Sequence, residues 1–271
     1  MFKSLLVASK PTGHQEYVAA HAVALANLLN ARLTACTIID ERQIAPPEPM
    51  PIGTGIFKTQ RNVELKEAAR RTADCVLQAC EAEADEAGVV CRADRFDGDV
   101  VDILSYRAHE FDLLVVGDTA ADADGDESLI VRILKHVGRP TIVVPKHPPL
   151  GNDIVVAYDG SSQAARAVAS FAYSGLGAGR AIHVVACAAD AAAAATQAAV
   201  ACRFLRRHGL SAHAELSADS PVAAITAAVV EHGAGLLVMG MFGKSALREF
   251  LLGSTTRAIL QDLATATFLD R

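Results

Sequence analysis

The sequence predicts an α/β protein built as two doubly wound units in tandem. Each unit is a five-stranded parallel sheet with helices on both faces. Three observations predict this class: the chain is written twice, its strand-like runs are continuously apolar, and a helical pattern follows each of them. Runs such as Leu113–Val116 and Ile154–Ala157 are apolar at every position, which a sheet covered on both faces requires. Alternation with helices implies right-handed βαβ crossovers, and hence parallel strands.

The repeat gives the elements in order. SLLVASKPTG (Ser4–Gly13) matches DIVVAYDGSS (Asp153–Ser162), each a short strand entering a turn and then an Ala-rich helix. ARLTACTII (Ala31–Ile39) matches GRAIHVVAC (Gly179–Cys187) as the second strand. Long helices follow, over Val63–Gly88 in the first half and through AAAAATQAAVACRFLRRHG in the second, and each stops at a glycine. FDLLVVGD (Phe111–Asp118) matches AGLLVMGM (Ala234–Met241), and VRILKHVGRPTIVV (Val131–Val144) matches RAILQDLATATFL (Arg257–Leu269). The seam falls in VPKHPPLGND, where three prolines and a glycine break the pattern. The expected units are therefore residues 1–148 and 149–271. A Pro/Gly-rich insertion, Glu41–Gln60, has little counterpart in the second half and reads as an irregular surface loop or as an arm across the other half.

Composition narrows the function. The chain has 271 residues, 51% hydrophobic and 21% charged, with a net charge of −6 and no basic stripe, so nucleic acid and anionic membrane are not expected partners. No apolar run approaches the roughly 20 residues of a membrane span. The N-terminal MFKSLLVASKPTG lacks the long apolar stretch of a signal peptide, and a cytoplasmic location is expected. Six scattered cysteines without a C-x-x-C pair read as small buried hydrophobes in a reducing compartment. Nine dispersed histidines show no metal-ligand spacing, and no metal site is expected.

One stretch carries chemistry. VMGMFGKSALREFLLGSTTRAIL (Val238–Leu260) contains Gly240, Gly243, Lys244 and Ser245, which suggest a P-loop. A P-loop needs G-x-x-x-x-G-K-[ST] after the first strand. Here Val238 stands where the first glycine should be, and the strand is the fourth of its half. The longer spacing is more informative: Gly240, Gly243 and then Gly253-Ser254, with Ser254 at an N-cap position where free N–H groups and the helix dipole favour phosphate. Gly240 closes a strand, where a missing side chain allows a ligand close to the backbone.

The pattern G-x2-G-x9-G-[ST] after strand four of a Rossmann-like unit resembles the ATP-binding signature of the universal stress protein family, and both halves share the resemblance. It implies a tandem member whose halves pack as family dimers do, through TIVVP (Thr141–Pro145) and ATFLD (Ala266–Asp270), with further association of two chains open. It implies an adenine nucleotide (ATP, ADP or AMP, with or without Mg²⁺) in the second half. The implied contacts are Asp159 near the adenosine, the Val184 backbone at the adenine edge, and Gly240, Gly243, Gly253, Ser254 and Thr255 at the phosphates and ribose. Lys244 is placed to contribute charge or to remain solvated.

The first half departs from the signature. Lys10 replaces the acidic residue, and DTAADADGDESLIV after Gly117 sets Asp118, Asp122, Asp124, Asp126 and Glu127 where phosphates would lie. Like charges about 4 Å apart repel by about 1 kcal/mol even in water, so this loop should reject a polyphosphate. The first half therefore reads as a structural copy. No catalytic residues are identified, and the expected function is a stress-response sensor or regulator holding nucleotide in its second half. A nucleotide-free scaffold and a slow ATPase are the alternatives.

Overall fold

The computed structural model describes residues 1–9, 16–44, 55–117, 128–146, 151–187, 191–217, 219–241, 259 and 265–271. The first half runs β1 (Ser4–Ser9), α1 (Glu16–Leu29), β2 (Arg32–Ile39), a short α2 (Glu41–Ile44), α3 (Gly55–Glu86), β3 (Cys91–Asp97), α4 (Val100–Arg107), β4 (Leu113–Gly117), α5 (Leu129–His136) and β5 (Thr141–Val144). The second runs β6 (Ile154–Ala157), α6 (Ser162–Ser174), β7 (Ala181–Cys187), α7 (Ala191–Arg207), β8 (Ser211–Ser217), α8 (Pro221–Glu231), β9 (Leu236–Gly240) and β10 (Ala266–Asp270). The strands form one 10-stranded sheet in the order β3-β2-β1-β4-β5-β10-β9-β6-β7-β8. Each half has the doubly wound order 3-2-1-4-5, parallel throughout, with Leu5 opposite Leu113 in one half and Ile154 opposite Leu236 in the other.

The apolar strands sort their side chains by parity. Leu5, Val7, Val115, Val156 and Val238 enter a core covered by α1, α3, α6 and α7. Leu6, Leu114, Val116, Val155 and Met239 enter the opposite core, under α4, α5 and α8. With both faces filled, alternation of apolar and polar residues would leave polar groups unpaired, hence the continuous runs. The outermost strands β3 and β8 are only half-buried and carry Arg92, Asp94, Arg95 and Glu215, charges that discourage further strand addition.

Helix ends follow local chemistry. The Asp99 carboxylate accepts from the Val101 and Asp102 amides to start α4, and Ser220 with Pro221 starts α8. Gly175, at φ 94°, ends α6 in a left-handed conformation and packs beneath Met1, whose Cγ would lie 2.8 Å from an added Cβ.

The halves join where β5 and β10 pair antiparallel, through Thr267–Val143, Phe268–Ile142 and Leu269–Thr141. The core on the α1/α6 face runs from one half into the other without a break.

The insertion differs from expectation at both ends. Glu41–Ile44 is a helical turn and α3 already starts at Gly55, eight residues before the Val63 expected from the sequence. No glycine or proline intervenes between Gly55 and Gly88, so nothing in that run stops a helix. Residues 45–54 lie outside the described residues.

Candidate functional site

In each half the chain leaves the middle strands in opposite directions, β1 toward β2 and β4 toward β5. Such a switch point opens a crevice at the carboxyl ends of the strands, the usual ligand position in an open α/β sheet. In the second half this crevice lies above β6 and β9.

The turn from β6 to α6 is fully described. The Tyr158 amide donates to the Val185 carbonyl at 3.0 Å, which fixes the turn against β7. Asp159 Oδ1 accepts from the Ser161 amide at 2.9 Å, and Ser161 Oγ accepts from the Ala164 amide at 3.1 Å to cap the helix. Gly160 takes φ 71°, a conformation that a side chain would strain. Asp159 is exposed at the crevice. Burial first, and then the Asp159 charge, push the Tyr158 phenol above its ordinary pKa.

Gly240 ends β9 beside this turn, but its close neighbour is protein. An added Cβ would stand 2.5 Å from the Ala164 nitrogen and 2.6 Å from the Gln163 carbonyl carbon. The absent side chain therefore lets the first turn of α6 approach the strand, which sets the height of that helix terminus in the crevice. Val184 lies inside β7, between Val156 and Ala214, with its side chain fully buried. It sits one rung below Ala157, the last residue of β6, so the β7 backbone reaches the carboxyl edge just beyond it. Gly243, Lys244, Gly253, Ser254 and Thr255 lie outside the described residues, as do Lys10 and the acidic stretch 118–127.

Gln197 of α7 adds a group that the glycine spacing does not indicate. Its side chain packs against Gly160, with Cγ 3.3 Å from where a Cβ would be, and its Oε1 is buried without a hydrogen-bond partner among the described residues. An unpaired buried acceptor beside an open crevice can be satisfied by an amine or hydroxyl of a ligand. The repeat offered no signal for it, because it lies within an Ala-rich helix. At the carboxyl edge of the first half, a cavity of about 430 Å³ opens between β2, α2 and α3, lined by Ile38, Asp40, Ile44, Ala69, Val100 and Leu129.

A second polar group lies at the opposite, amino edge of the sheet. His183 Nδ1 stands 2.7 Å from Glu215 Oε1 and its Nε2 stands 3.1 Å from Asp153 Oδ2. The His232 ring, at the carboxyl end of α8, stacks on His183 with centroids 3.5 Å apart and planes 7° from parallel. Its Nε2 lies 2.6 Å from the same Glu215 oxygen, without the angle of a hydrogen bond. No metal-ligand spacing is visible along the chain because these residues come from four separate segments. Register unites them: His183 pairs with Val155 on one side and His213 on the other, two residues from Asp153 and Glu215 respectively.

The model of the universal stress protein family matches residues 1–145 and 172–265, so its second match begins within α6, past Asp159. A universal stress protein of Synechocystis is 29% identical over 171 residues, which cover 60% of this chain and 59% of that protein. Among solved structures, a universal stress protein from Archaeoglobus fulgidus superposes with a TM-score of 0.75 at 18% identity, covering 99% of this chain and 96% of its own. A functionally unknown protein from Pseudomonas aeruginosa gives 0.62 at 15% identity, over 99% and 92% of the two chains. At these identities the structural likeness speaks for the fold.

Proposed function

The chain belongs to the universal stress protein family, and on that premise we propose that its second half binds an adenine nucleotide, ATP or the related ADP or AMP, in the crevice above β6 and β9. Mg²⁺ accompanies the phosphates, and the occupied protein acts in the stress response as a sensor or regulator. The observation that carries this reading is the coincidence of the G-x2-G-x9-G-S spacing, starting at Gly240, with the switch point of the second half.

The described residues fit such a ligand. The α6 N-terminus faces the crevice with its dipole's positive end, which favours an anion. Asp159 supplies an exposed carboxylate for hydroxyl or amine donors, and Gln197 offers its unpaired acceptor. Gly243, Gly253, Ser254, Thr255 and Lys244 would hold the phosphates and ribose, and the Val184 segment would meet the adenine edge. The nucleotide, when bound, supplies a negatively charged switch whose occupancy can be read by a partner. The first half, with its carboxylate-rich loop, serves as structural support.

The test is to extract and weigh any ligand carried by the purified chain, then titrate the emptied protein with ATP and Mg²⁺. One saturable site per chain, lost in Gly243→Val with the fold intact, is the expected result. An empty protein that binds no adenine nucleotide overturns the reading and leaves a scaffold acting through protein contacts. ATP turnover above background that disappears in Gly243→Val would make the same site a slow ATPase.

A further inference from the structure

We propose that Asp153, His183 and His232 form a binding site for a divalent transition-metal ion of the Zn²⁺ type, at the end of the second half remote from the nucleotide crevice. Each of the three offers a donor atom, and the three atoms lie within 4.8 Å of one another. Two imidazoles and one carboxylate with a fourth position open to water is a donor set that suits Zn²⁺, and imidazole ligation disfavours Mg²⁺ and Ca²⁺.

Glu215 makes the group a built site. Its carboxylate faces His183 Nδ1 at 2.7 Å, so in the metal-bound form it accepts a hydrogen bond from Nδ1–H and leaves the Nε2 lone pair directed to the ion beside Asp153. A carboxylate behind a ligating histidine fixes the tautomer and the ring orientation. The same oxygen lies 2.6 Å from His232 Nε2 but outside hydrogen-bonding angle, so it orients His183 and leaves the His232 ring free to turn. Asp153 and Glu215 together bring two negative charges to a place where no Lys or Arg contacts either carboxylate among the described residues, and Arg180, which donates to the Asp153 carbonyl, offsets the Asp153 charge only in part. A divalent cation neutralises both.

The ion has a route in. The side chains of His183 and His232 are 13% and 21% exposed, and Asp153 is 34% exposed, so the group is sheltered but reachable from water. The supports are firm: His183 is held on both sides within the sheet, and His232 ends α8, its amide bonded to the Ala228 carbonyl at 3.1 Å. Four-coordinate Zn²⁺ with bonds near 2.0–2.1 Å keeps its donors roughly 3.3–3.5 Å apart, so the widest separation in the group must contract by up to about 1.5 Å. Two parallel stacked rings cannot both aim a lone pair at one ion. Uptake therefore turns His232 out of the stack while His183 stays in the sheet.

The experiment uses the full chain, made without a polyhistidine tag, stripped with chelator and titrated with Zn²⁺ by calorimetry and with Co²⁺ by visible absorption. One ion per chain is expected, with the ligand-field bands of a four-coordinate N/O site and no thiolate charge-transfer band. The imidazole resonances of His232 and His183 should move while those of His136 and His208 do not. His232→Ala and Asp153→Asn should each weaken Zn²⁺ by more than the ~10–100-fold expected for Glu215→Gln, which removes only the supporting carboxylate. His183→Ala lies in a strand paired on both sides; if it fails to fold, the two other ligand variants decide. Absence of a stoichiometric ion in the folded wild-type chain, uptake unchanged in His232→Ala and Asp153→Asn, or a thiolate band pointing to the cysteines would each overturn the site.

Discussion

At the scale of single residues, Gly240 and Asp112 show how much one position can fix. Gly240 abuts the backbone of α6 and not a flexible side chain, so an added methyl has no soft neighbour to displace. Gly240→Ala should destabilise the protein by about 1–3 kcal/mol through overpacking, seen as a lower urea midpoint at unchanged slope. An unchanged midpoint would show that α6 can shift freely at its first turn. Asp112 joins two strands by hydrogen bonds: its Oδ2 accepts from the Lys3 amide at 2.7 Å, the Ser4 amide at 3.0 Å and the Ser4 hydroxyl at 3.1 Å. Burial alone would raise its pKa, but these bonds, with the Arg139 charge, outweigh burial and hold it below the ordinary carboxylate value. A depressed carboxylate contributes stability that is complete above its unfolded pKa, about 4, and fades as pH falls through the lower folded value. Asp112→Asn should therefore cost about 1 kcal/mol near neutrality, screened by solvent, and almost nothing in strong acid. Urea titrations of both proteins across that range measure the convergence.

At the scale of elements, what was legible in the sequence were features repeated locally. The strands around Leu113–Val116 and Ile154–Ala157 showed themselves because burial on both faces leaves no polar alternation to confuse them. The start of α3 was not legible, because the proline-dense stretch before it reads as irregular up to the first run rich in helix formers, at Val63. The His183 group was also hidden: it exists only when three strands lie in register and α8 delivers His232. Gly240 stands out in the sequence by its spacing, but the partner that makes it special, the first turn of α6, is separated from it by most of the half. The β5–β10 contact spans three paired positions, and its strength rests on few residues. Phe268 is fully buried at the middle of the three paired positions and meets Phe171 edge-on, centroids 6.1 Å apart. Phe268→Ala should cost about 3–5 kcal/mol, including the edge-to-face contact. Hydrogen exchange should then rise first at the amides of β5 and β10. Uniform acceleration across the whole sheet would instead mean that the joint is no weaker than the halves.

At the scale of the whole molecule, the joint continues beyond the strands. The Phe2 amide donates to the Ser174 carbonyl at 2.9 Å, and Met1 packs over Gly175, so the start of the chain is fastened to α6. No described helix is long and apolar enough to cross a membrane. His21 of α1 is partly buried in this region, close enough to Arg180 of the second half to feel its charge. Burial and then the Arg180 charge lower its pKa from 6.5. Arg180 cannot easily turn away, since its guanidinium donates to the carbonyls of Leu176 and Asp153, both at 3.4 Å. The sign follows from linkage: above 6.5 the imidazole is neutral in folded and unfolded chains alike and has no effect on pH dependence. Below it the unfolded chain takes a proton that the folded chain resists, so stability falls with acidification until the folded pKa is passed. The expected result is a wild-type protein that loses melting temperature between about pH 7 and pH 5 more steeply than His21→Gln, which cannot take that proton. Because the charge that disfavours protonated His21 comes from the second half, the lost stability should appear as weaker protection in α1 and near Arg180. Parallel melting curves for the two proteins, or protection lost only far from the joint, would show that His21 does not couple acid to the contact between the halves.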